Sequence, residues 1–408
     1  MDSLEEKDIT MEIRIGNYYI KLRKDALPLL IVASLSYYPI TYTINQLVNR
    51  YIQYGAWWDS AICIGLYLLI VIGSIPIVLK RQKIFSLIFT ISMVLVFIIT
   101  ILSNFDGTKY ASDEIVPFFT KYLPFLFVGI AINEYEQLDK WVDAVTKIVL
   151  VAAFIWILIV VLDLNRNIRT PYMQISYYVL PSSLFRVYFY YRDRGAKNLL
   201  WMILGIANHI IWGTRGPILF LLLFIPLCLL SNNRSIKKII LSIVLILFGI
   251  VLYVRMYDIL LWANSLFSSL GLRNAGIIKM MAEDLSDGRI DLFSQIMPYI
   301  NNHFIFGGGI YSDRALLGVY VHLLPLEFMC DFGAIFGTLL FIVLIFLIIK
   351  KIVQLKDYRD FRWGLLWVLI FSGFIKLFFS SSYLEEPYFY FLLGLLVNDT
   401  MINTTHER

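Results

Sequence analysis

The chain has 408 residues, of which 59% are hydrophobic, 16% aromatic and only 16% charged, which is far too apolar for an ordinary soluble domain. Its mean hydropathy of +0.73 and its long apolar runs also exclude a β-barrel, which needs short segments of alternating polarity. The formal charge of +5 sits in clusters between apolar runs, so it calls for no nucleic-acid partner.

Taken in order, the first 25 residues are polar and the apolar stretch that follows is long enough to span. This predicts an uncleaved first helix rather than a secretory leader. Spans are expected near 26–48, 61–79, 84–102, 115–132, 146–162, 173–190, 198–212, 217–230, 236–254, 321–349, 363–380 and 387–398. The expected fold class is therefore all-α, a polytopic transmembrane helical bundle of about twelve spans with one long outward-facing helical loop. Residues 1–254 would hold the first nine spans and an N-terminal tail, 255–320 a helical cap, and 321–408 the last three spans.

Most of the 35 Lys and Arg residues fall in alternate loops: the N-terminal tail, 80–83, 133–147, 192–197, 234–238, 350–362 and the C-terminus. The positive-inside rule makes that set cytoplasmic, with both termini, and puts the cap on the outer face of a cytoplasmic membrane. Within the cap, Tyr257–Leu272 reads as an apolar helix lying on the membrane between Arg255 and Arg273. Ser286–Ile300 has helical apolar spacing, and Gly307-Gly308-Gly309 breaks it and permits unusual backbone.

Cys63, Cys228 and Cys330 lie in or beside spans and read as small buried apolar residues. No spacing suits a metal site or a Ser–His–Asp arrangement, and no cofactor is expected. Asp59, Asp106, Asp113, Glu114, Glu385 and Glu386 are expected to be scattered among separate short loops. Glu283, Asp284, Asp287 and Asp291 read as the solvated face of the cap.

Candidate chemistry concentrates on the predicted outer face. Arg215 occupies the tight turn Gly213-Thr214-Arg215-Gly216, and Pro217 is suited to the first turn of the next helix. A guanidinium beside a helix N-terminus is a natural anion site. Arg289 lies in the cap, and His322 stands at its end, where a neutral imidazole can accept a proton from a hydroxyl. Two fixed cations and one imidazole at a membrane surface suit a lipid-linked phosphate and a proton transfer.

Arg169, Arg314, His209, Lys376 and Glu327 form a second tier that would bind substrate or line its cavity. The bland alternatives are solvated or head-group contacts for Arg166, Arg273 and Arg314, and a snorkelling role for Lys121. His303 rivals His322 but is expected inside a turn.

The order of these pieces resembles the bacterial O-antigen polymerase and O-antigen ligase superfamily. Gly213-Thr214-Arg215-Gly216 is similar to that group's S-x-S-R-G turn, and Asp287-Gly288-Arg289-Ile290 to its Gly-Arg before an amphipathic helix. His303–Gly309 resembles an H-P-x-x-G-x-G segment, with Phe304 in place of proline. His322–Glu327 resembles H-N-x-x-L-E, with Leu323 in place of asparagine.

The resemblance covers about the second half of the chain. It implies a fold related to the C-type glycosyltransferases, working without metal on undecaprenyl-diphosphate-linked oligosaccharides as donor and acceptor. It also implies a chain-length regulator and a flippase as partners. Arg215 and Arg289 would bind the diphosphate, and His322 would activate or position the acceptor hydroxyl. Three functions stay open on these residues: a polysaccharide polymerase, a ligase to another terminal acceptor, and a flippase for the same lipid-linked glycan.

Overall fold

The computed structural model describes residues 10–15, 18–23, 28, 32–33, 36, 40, 57–103, 106–161, 172–212, 214–231, 235–255, 258, 262, 265 and 289–398. The described architecture is helical apart from one N-terminal hairpin, which the expected polar tail did not include. Strands Thr10–Ile15 (β1) and Tyr18–Arg23 (β2) pair antiparallel. Their register sets Met11 opposite Leu22, Ile13 opposite Ile20 and Ile15 opposite Tyr18. The same register pairs Glu12 with Lys21.

The helices are Trp57–Arg81 (α1), Lys83–Leu102 (α2), Thr108–Pro117 (α3), Pro124–Ala131 (α4), Tyr135–Val161 (α5), Tyr172–Asp193 (α6) and Ala196–Trp212 (α7). They continue with Arg215–Ser231 (α8), Ile236–Val254 (α9), Arg289–Asn302 (α10), Ser312–Leu317 (α11), Leu324–Gln354 (α12), Phe361–Leu369 (α13) and Pro387–Val397 (α14). A helix lies over each expected span from residue 61 onward. The span expected at 26–48 falls outside the described residues, except for Pro28, Val32, Ala33, Ser36 and Ile40, which are helical.

Among the described residues, five helical stretches are long and apolar enough to cross a membrane: Ile84–Leu102, Thr108–Ala131, Tyr135–Leu158, Leu324–Gln354 and Phe361–Phe378. The second is continuous only because a π-helical turn, Phe118–Tyr122, joins α3 to α4. It lies between Pro117 and Pro124, which lack the N–H that the regular ladder needs, and Leu123 N–H donates to Phe118 O at 3.0 Å instead. A second such turn, Ile370–Phe374, carries α13 onward to a 3₁₀ stretch at Ile375–Phe378.

Side-chain distribution is the reverse of a soluble protein's. The span Phe361–Phe378 is 83% buried and forms the centre, whereas the spans in α2 and α12 are each 22% buried. Outward faces carry Leu95, Ile98 and Ile99 on α2, Ile240, Leu247 and Val251 on α9, and Leu339, Ile342 and Phe346 on α12, all exposed. Apolar side chains exposed in this number suit lipid rather than water.

The bundle has two distinct ends. At one, Asn398 Nδ2 donates to Gly129 O at 2.9 Å and to Ile132 O at 2.8 Å, and Lys351 Nζ donates to Asn398 O at 2.9 Å. Arg192 pairs with Asp139 at 2.7 Å at the same end. At the other, Tyr299 donates to Asp106 at 2.9 Å, and the Ile310 N–H donates to Thr100 Oγ1 at 3.3 Å. There α10 lies across the bundle with Ile296 and Ile300 buried against Val321 and Cys330. The helical spacing read at 286–300 corresponds to this element. The helix expected at Tyr257–Leu272 lies outside the described residues save Asp258, Trp262 and Ser265, which are helical.

One backbone contact organises this second end. Gly333, inside α12, has φ +85° and ψ 160°, which kinks the helix. The kink frees the carbonyls of Cys330 and Asp331, which accept from the N–H groups of Gly308 at 2.8 Å and Gly309 at 3.2 Å. A Cβ at Gly333 would stand 2.2 Å from Ile305 O, so only glycine admits both the dihedrals and the approach. The triple glycine is therefore a docking strand for the start of α12.

Candidate functional site

Residues 379–386 run from the 3₁₀ stretch to α14; the segment is short and largely polar, with Ser382, Tyr383, Leu384 and Glu386 buried and the others half-buried. Because they run between two apolar helices, their polar groups must be satisfied within the protein, and Ser382, Tyr383 and Glu385 find partners in distant segments. Glu386 caps α14, accepting from Tyr388 N–H at 3.4 Å, and also accepts from Lys376 Nζ and from Ser381 Oγ at 3.2 Å. The Ser382 hydroxyl donates to Glu327 Oε1, and Tyr383 N–H donates to Glu327 Oε2 at 3.4 Å. The Tyr383 hydroxyl donates to Asp331 Oδ2 at 2.8 Å. Glu385 Oε1 accepts from Arg314 Nη1 at 2.6 Å.

The cap supplies the remaining members. Ser312 Oγ donates to Asp331 Oδ1 at 3.3 Å. Asp313 accepts from the N–H groups of Arg314 at 2.8 Å and Val321 at 3.0 Å, which closes the loop around α11. Glu327 and Asp331 lie one turn apart on α12 and face the same way, toward Tyr383. Asp313, Glu327, Asp331, Glu385 and Glu386 thus surround two cations, Arg314 and Lys376, and the cluster is acid-rich.

Burial raises the Asp313 carboxyl above its ordinary value, against the opposing effect of its two backbone donors and Arg314. Burial lowers the Arg314 guanidinium, but Glu385 and Asp313 beside it more than reverse this and keep it firmly charged.

Of the residues expected from sequence, Arg314, Glu327 and Lys376 come together here. His322 stands at the edge of the same cluster, just before α12, with φ +57°. Its ring lies 4.1 Å from that of Tyr320, and the Tyr320 ring is 5.9 Å from the Arg314 guanidinium carbon. A non-glycine residue held in left-handed backbone is a local strain of the kind found at functional positions.

The sequence offered Arg314 and Lys376 as substrate-binding cations, and in the structure each has an acidic partner. Those partners are Glu385 and Glu386, two acids expected to be scattered and separate.

His209 is a correction of another kind. Expected to line the substrate cavity, it is fully buried and packed between α6 and α7. Its Nδ1 meets Ser176 Oγ at 2.8 Å and its Nε2 meets Ser183 Oγ at 2.9 Å. Ser176 in turn shares a hydrogen bond with Thr214, so the chain of hydroxyls ends at the turn carrying Arg215. His303 follows α10, stacked 4.3 Å from Tyr299.

The backbone of Arg215 opens α8, and Arg289 is the first described residue of α10. Their side chains, Arg169 and the acidic run Glu283, Asp284 and Asp287 lie outside the described residues.

The Thr214–Gly216 turn nonetheless touches the cluster through Tyr177. A Cβ at Gly216 would stand 2.1 Å from the Tyr177 hydroxyl, so that ring rests directly on the start of α8. Lys376 Nζ lies 5.2 Å over the same ring while it pairs with Glu386. The turn with Arg215 and the segment with His322 are thereby joined through Tyr177, Lys376 and residues 380–386.

Sequence reasoning missed Asp313, Asp331, Tyr383, Glu385, Glu386 and Tyr177 as members of this site. One signal was present: Ser380-Ser381-Ser382 and Glu385-Glu386 crowd into a very short connection between two apolar helices, where solvation is limited. The arrangement can hold a rigid, hydrogen-bonded platform and present half-buried His322, Tyr320 and Glu385 at its rim. Compared with protein-family models, with curated proteins and with solved structures, the chain matches none.

Proposed function

We propose that this chain is a membrane-embedded polysaccharide polymerase. In this reading about twelve spans cross the cytoplasmic membrane, with the termini inside and the clustered end outside. The enzyme transfers a growing glycan from undecaprenyl diphosphate to a sugar hydroxyl of a new lipid-linked repeat unit. Its architecture is related to that of the C-type glycosyltransferases, and a ligase acting on another terminal acceptor uses the same chemistry.

The observation that carries the proposal is the juxtaposition of two sequence-distant features at one end of the bundle. The start of α8, with Arg215, rests on Tyr177, and Tyr177 lies under Lys376, whose partner segment also holds Glu327 and Arg314 beside His322. Arg314 and Lys376 are internally neutralised, so the diphosphate falls to Arg215 and Arg289. Arg215 opens α8, whose N-terminal partial charge reinforces an anion site.

As the glycosyl–phosphate bond breaks, negative charge gathers on the leaving diphosphate, and two guanidinium groups stabilise it bidentately. His322 takes the proton of the attacking hydroxyl, which attacks the anomeric carbon from the opposite face and inverts it. Lipid tails enter between helices, along the apolar outer faces.

The test is incubation of the purified protein with one lipid-linked repeat unit and nothing else. A ladder of products supports the polymerase. No ladder there, but a single product in a second incubation to which a different terminal acceptor is added, supports the ligase. Movement of the unit across a vesicle membrane without new glycosidic bonds overturns both in favour of a flippase.

A further inference from the structure

We propose that the rim of the acid-rich cluster, formed by Arg314, Glu385, Glu114, Tyr311, Tyr320 and His322, is a subsite for a neutral, polyhydroxylated sugar ring. The inference rests on the glycan-transfer reading above and names the part of the substrate that this rim receives.

Two buried donors there have no acceptor among the described residues. Arg314 is 8% exposed, and while Nη1 is bonded to Glu385, Nη2 is buried and makes no hydrogen bond. The Tyr311 hydroxyl, under the same guanidinium at 4.6 Å from ring centre to Cζ, is likewise buried and unbonded. Buried donors left this way are costly and mark a place where an acceptor belongs.

Beside them lie two carboxylates with room to accept. The Glu385 side chain is 31% exposed. Glu114 is half-buried and close enough to feel the charges of both Glu385 and Arg314.

A ligand group that fits must accept from Arg314 and Tyr311 and donate to Glu385 or Glu114. A hydroxyl does both. A phosphate or carboxylate accepts only, and would add negative charge next to two acids. An ammonium donates only, leaving the buried donors unmet. Several adjacent hydroxyls on one ring meet several donors and acceptors at once. The Tyr320 and His322 rings, 4.1 Å apart and half-buried, supply the aromatic wall on which the C–H face of such a ring lies. The same charge argument keeps the diphosphate away from this rim and toward Arg215 and Arg289.

The experiment is saturation-transfer NMR on the full-length protein in detergent micelles. The probes are methyl glucoside, N-acetylglucosamine, glucuronate and glucose phosphate. The neutral sugars are expected to receive magnetisation and the two anions to receive none. Glu385→Gln and Tyr320→Ala are each expected to weaken the neutral-sugar signal roughly tenfold, the scale of one lost hydrogen bond to a charged group. Glu385→Gln loses the ion pair with Arg314 and lowers the thermal midpoint modestly, so a retained cooperative unfolding transition above the measuring temperature verifies the fold of each variant. Anions that bind as strongly as neutral sugars, or neutral-sugar signals indifferent to both substitutions, overturn the subsite. Sugar binding that is lost in both variants of a protein that builds no ladder overturns the polymerase reading and leaves the subsite standing. Ladder growth with unaltered acceptor dependence in both variants does the opposite.

Discussion

Arg314 Nη1 donates to Glu385 Oε1 at 2.6 Å, and this one ion pair ties the short helix after the triple glycine to the segment that leads into the last helix. The guanidinium side chain is 9% exposed and its partner 31%, so the pair is buried on one side and wetted on the other. Arg314→Met strands a carboxylate that can partly rehydrate. The full penalty for breaking a buried pair is about 3–5 kcal/mol, and the exposure of Glu385 reduces it here to about 1–3 kcal/mol. The thermal midpoint in detergent should fall accordingly, and Arg314→Met/Glu385→Gln should regain most of the loss. A double variant no more stable than the single one would show that the pair is not what holds these segments together.

Gly333→Ala should be among the most damaging single substitutions in the chain. Its φ of +85° with ψ 160° lies in a region reserved for glycine, and the new methyl would collide with Ile305 O. The backbone conformation alone costs on the order of 1–3 kcal/mol. The measurable consequence is release of the 303–309 segment, seen as faster proteolysis there before global unfolding. Protection equal to that of the parent protein would contradict the kink's role.

Tyr383 bridges two acids, its N–H on Glu327 and its hydroxyl on Asp331. Tyr383→Phe keeps the ring and the first contact but removes the second, leaving Asp331 with Ser312. The expected loss is about 1–3 kcal/mol, typical of a buried polar group deprived of a partner. Thermal unfolding of Tyr383→Phe, Ser312→Ala and the double variant checks it. Because both donors serve one carboxylate, the two losses should not be additive.

Asp313 gives a pH dependence with a definite sign. Burial raises its folded-state value, so the native protein binds this proton more tightly than the unfolded chain. The stability this supplies is complete below the unfolded carboxylate value, about 3.9, and is lost as pH rises through the higher folded value. Asp313→Asn cannot ionise and should flatten the fall of thermal midpoint between the unfolded value and the higher folded one. An identical slope in parent and variant would remove Asp313 as a cause.

For the proposed chemistry, Arg215→Ala, Arg289→Ala and His322→Ala should each lower ladder formation roughly a hundredfold or more, with little change in thermal midpoint. Lysine at 215 or 289 should rescue poorly, since a compact ammonium does not reproduce a bidentate fork. Full activity in any of the three alanine variants would exclude that residue from the reaction.

How much was legible varies by element. The helix at Arg289–Asn302 was readable from the spacing of Phe293, Ile296 and Ile300, and the unusual backbone at Gly307 and Gly309 from composition alone. The hairpin at 10–23 was hidden inside a segment judged only by its polarity, although its alternation of apolar and charged residues was there to be read. Glu385 and Glu386 were misread because their neighbours in space, Arg314 and Lys376, are contributed by other parts of the fold. His209 was drawn toward Arg215 by closeness in sequence, whereas helix α7 turns its ring inward to Ser176 and Ser183.

By itself, the sequence determined that this protein is a bundle of apolar helices suited to a bilayer. Hydropathy, helical period and the placement of glycine and proline are local properties, each expressed within one or two turns of chain. Only the tertiary structure decided which polar groups share an environment. The pairs Arg314–Glu385, Ser382–Glu327 and Tyr383–Asp331 join residues 71, 55 and 52 positions apart. Contacts of that kind depend on which helix ends are packed side by side, and the requirement that every buried donor and acceptor be met then selects the partners.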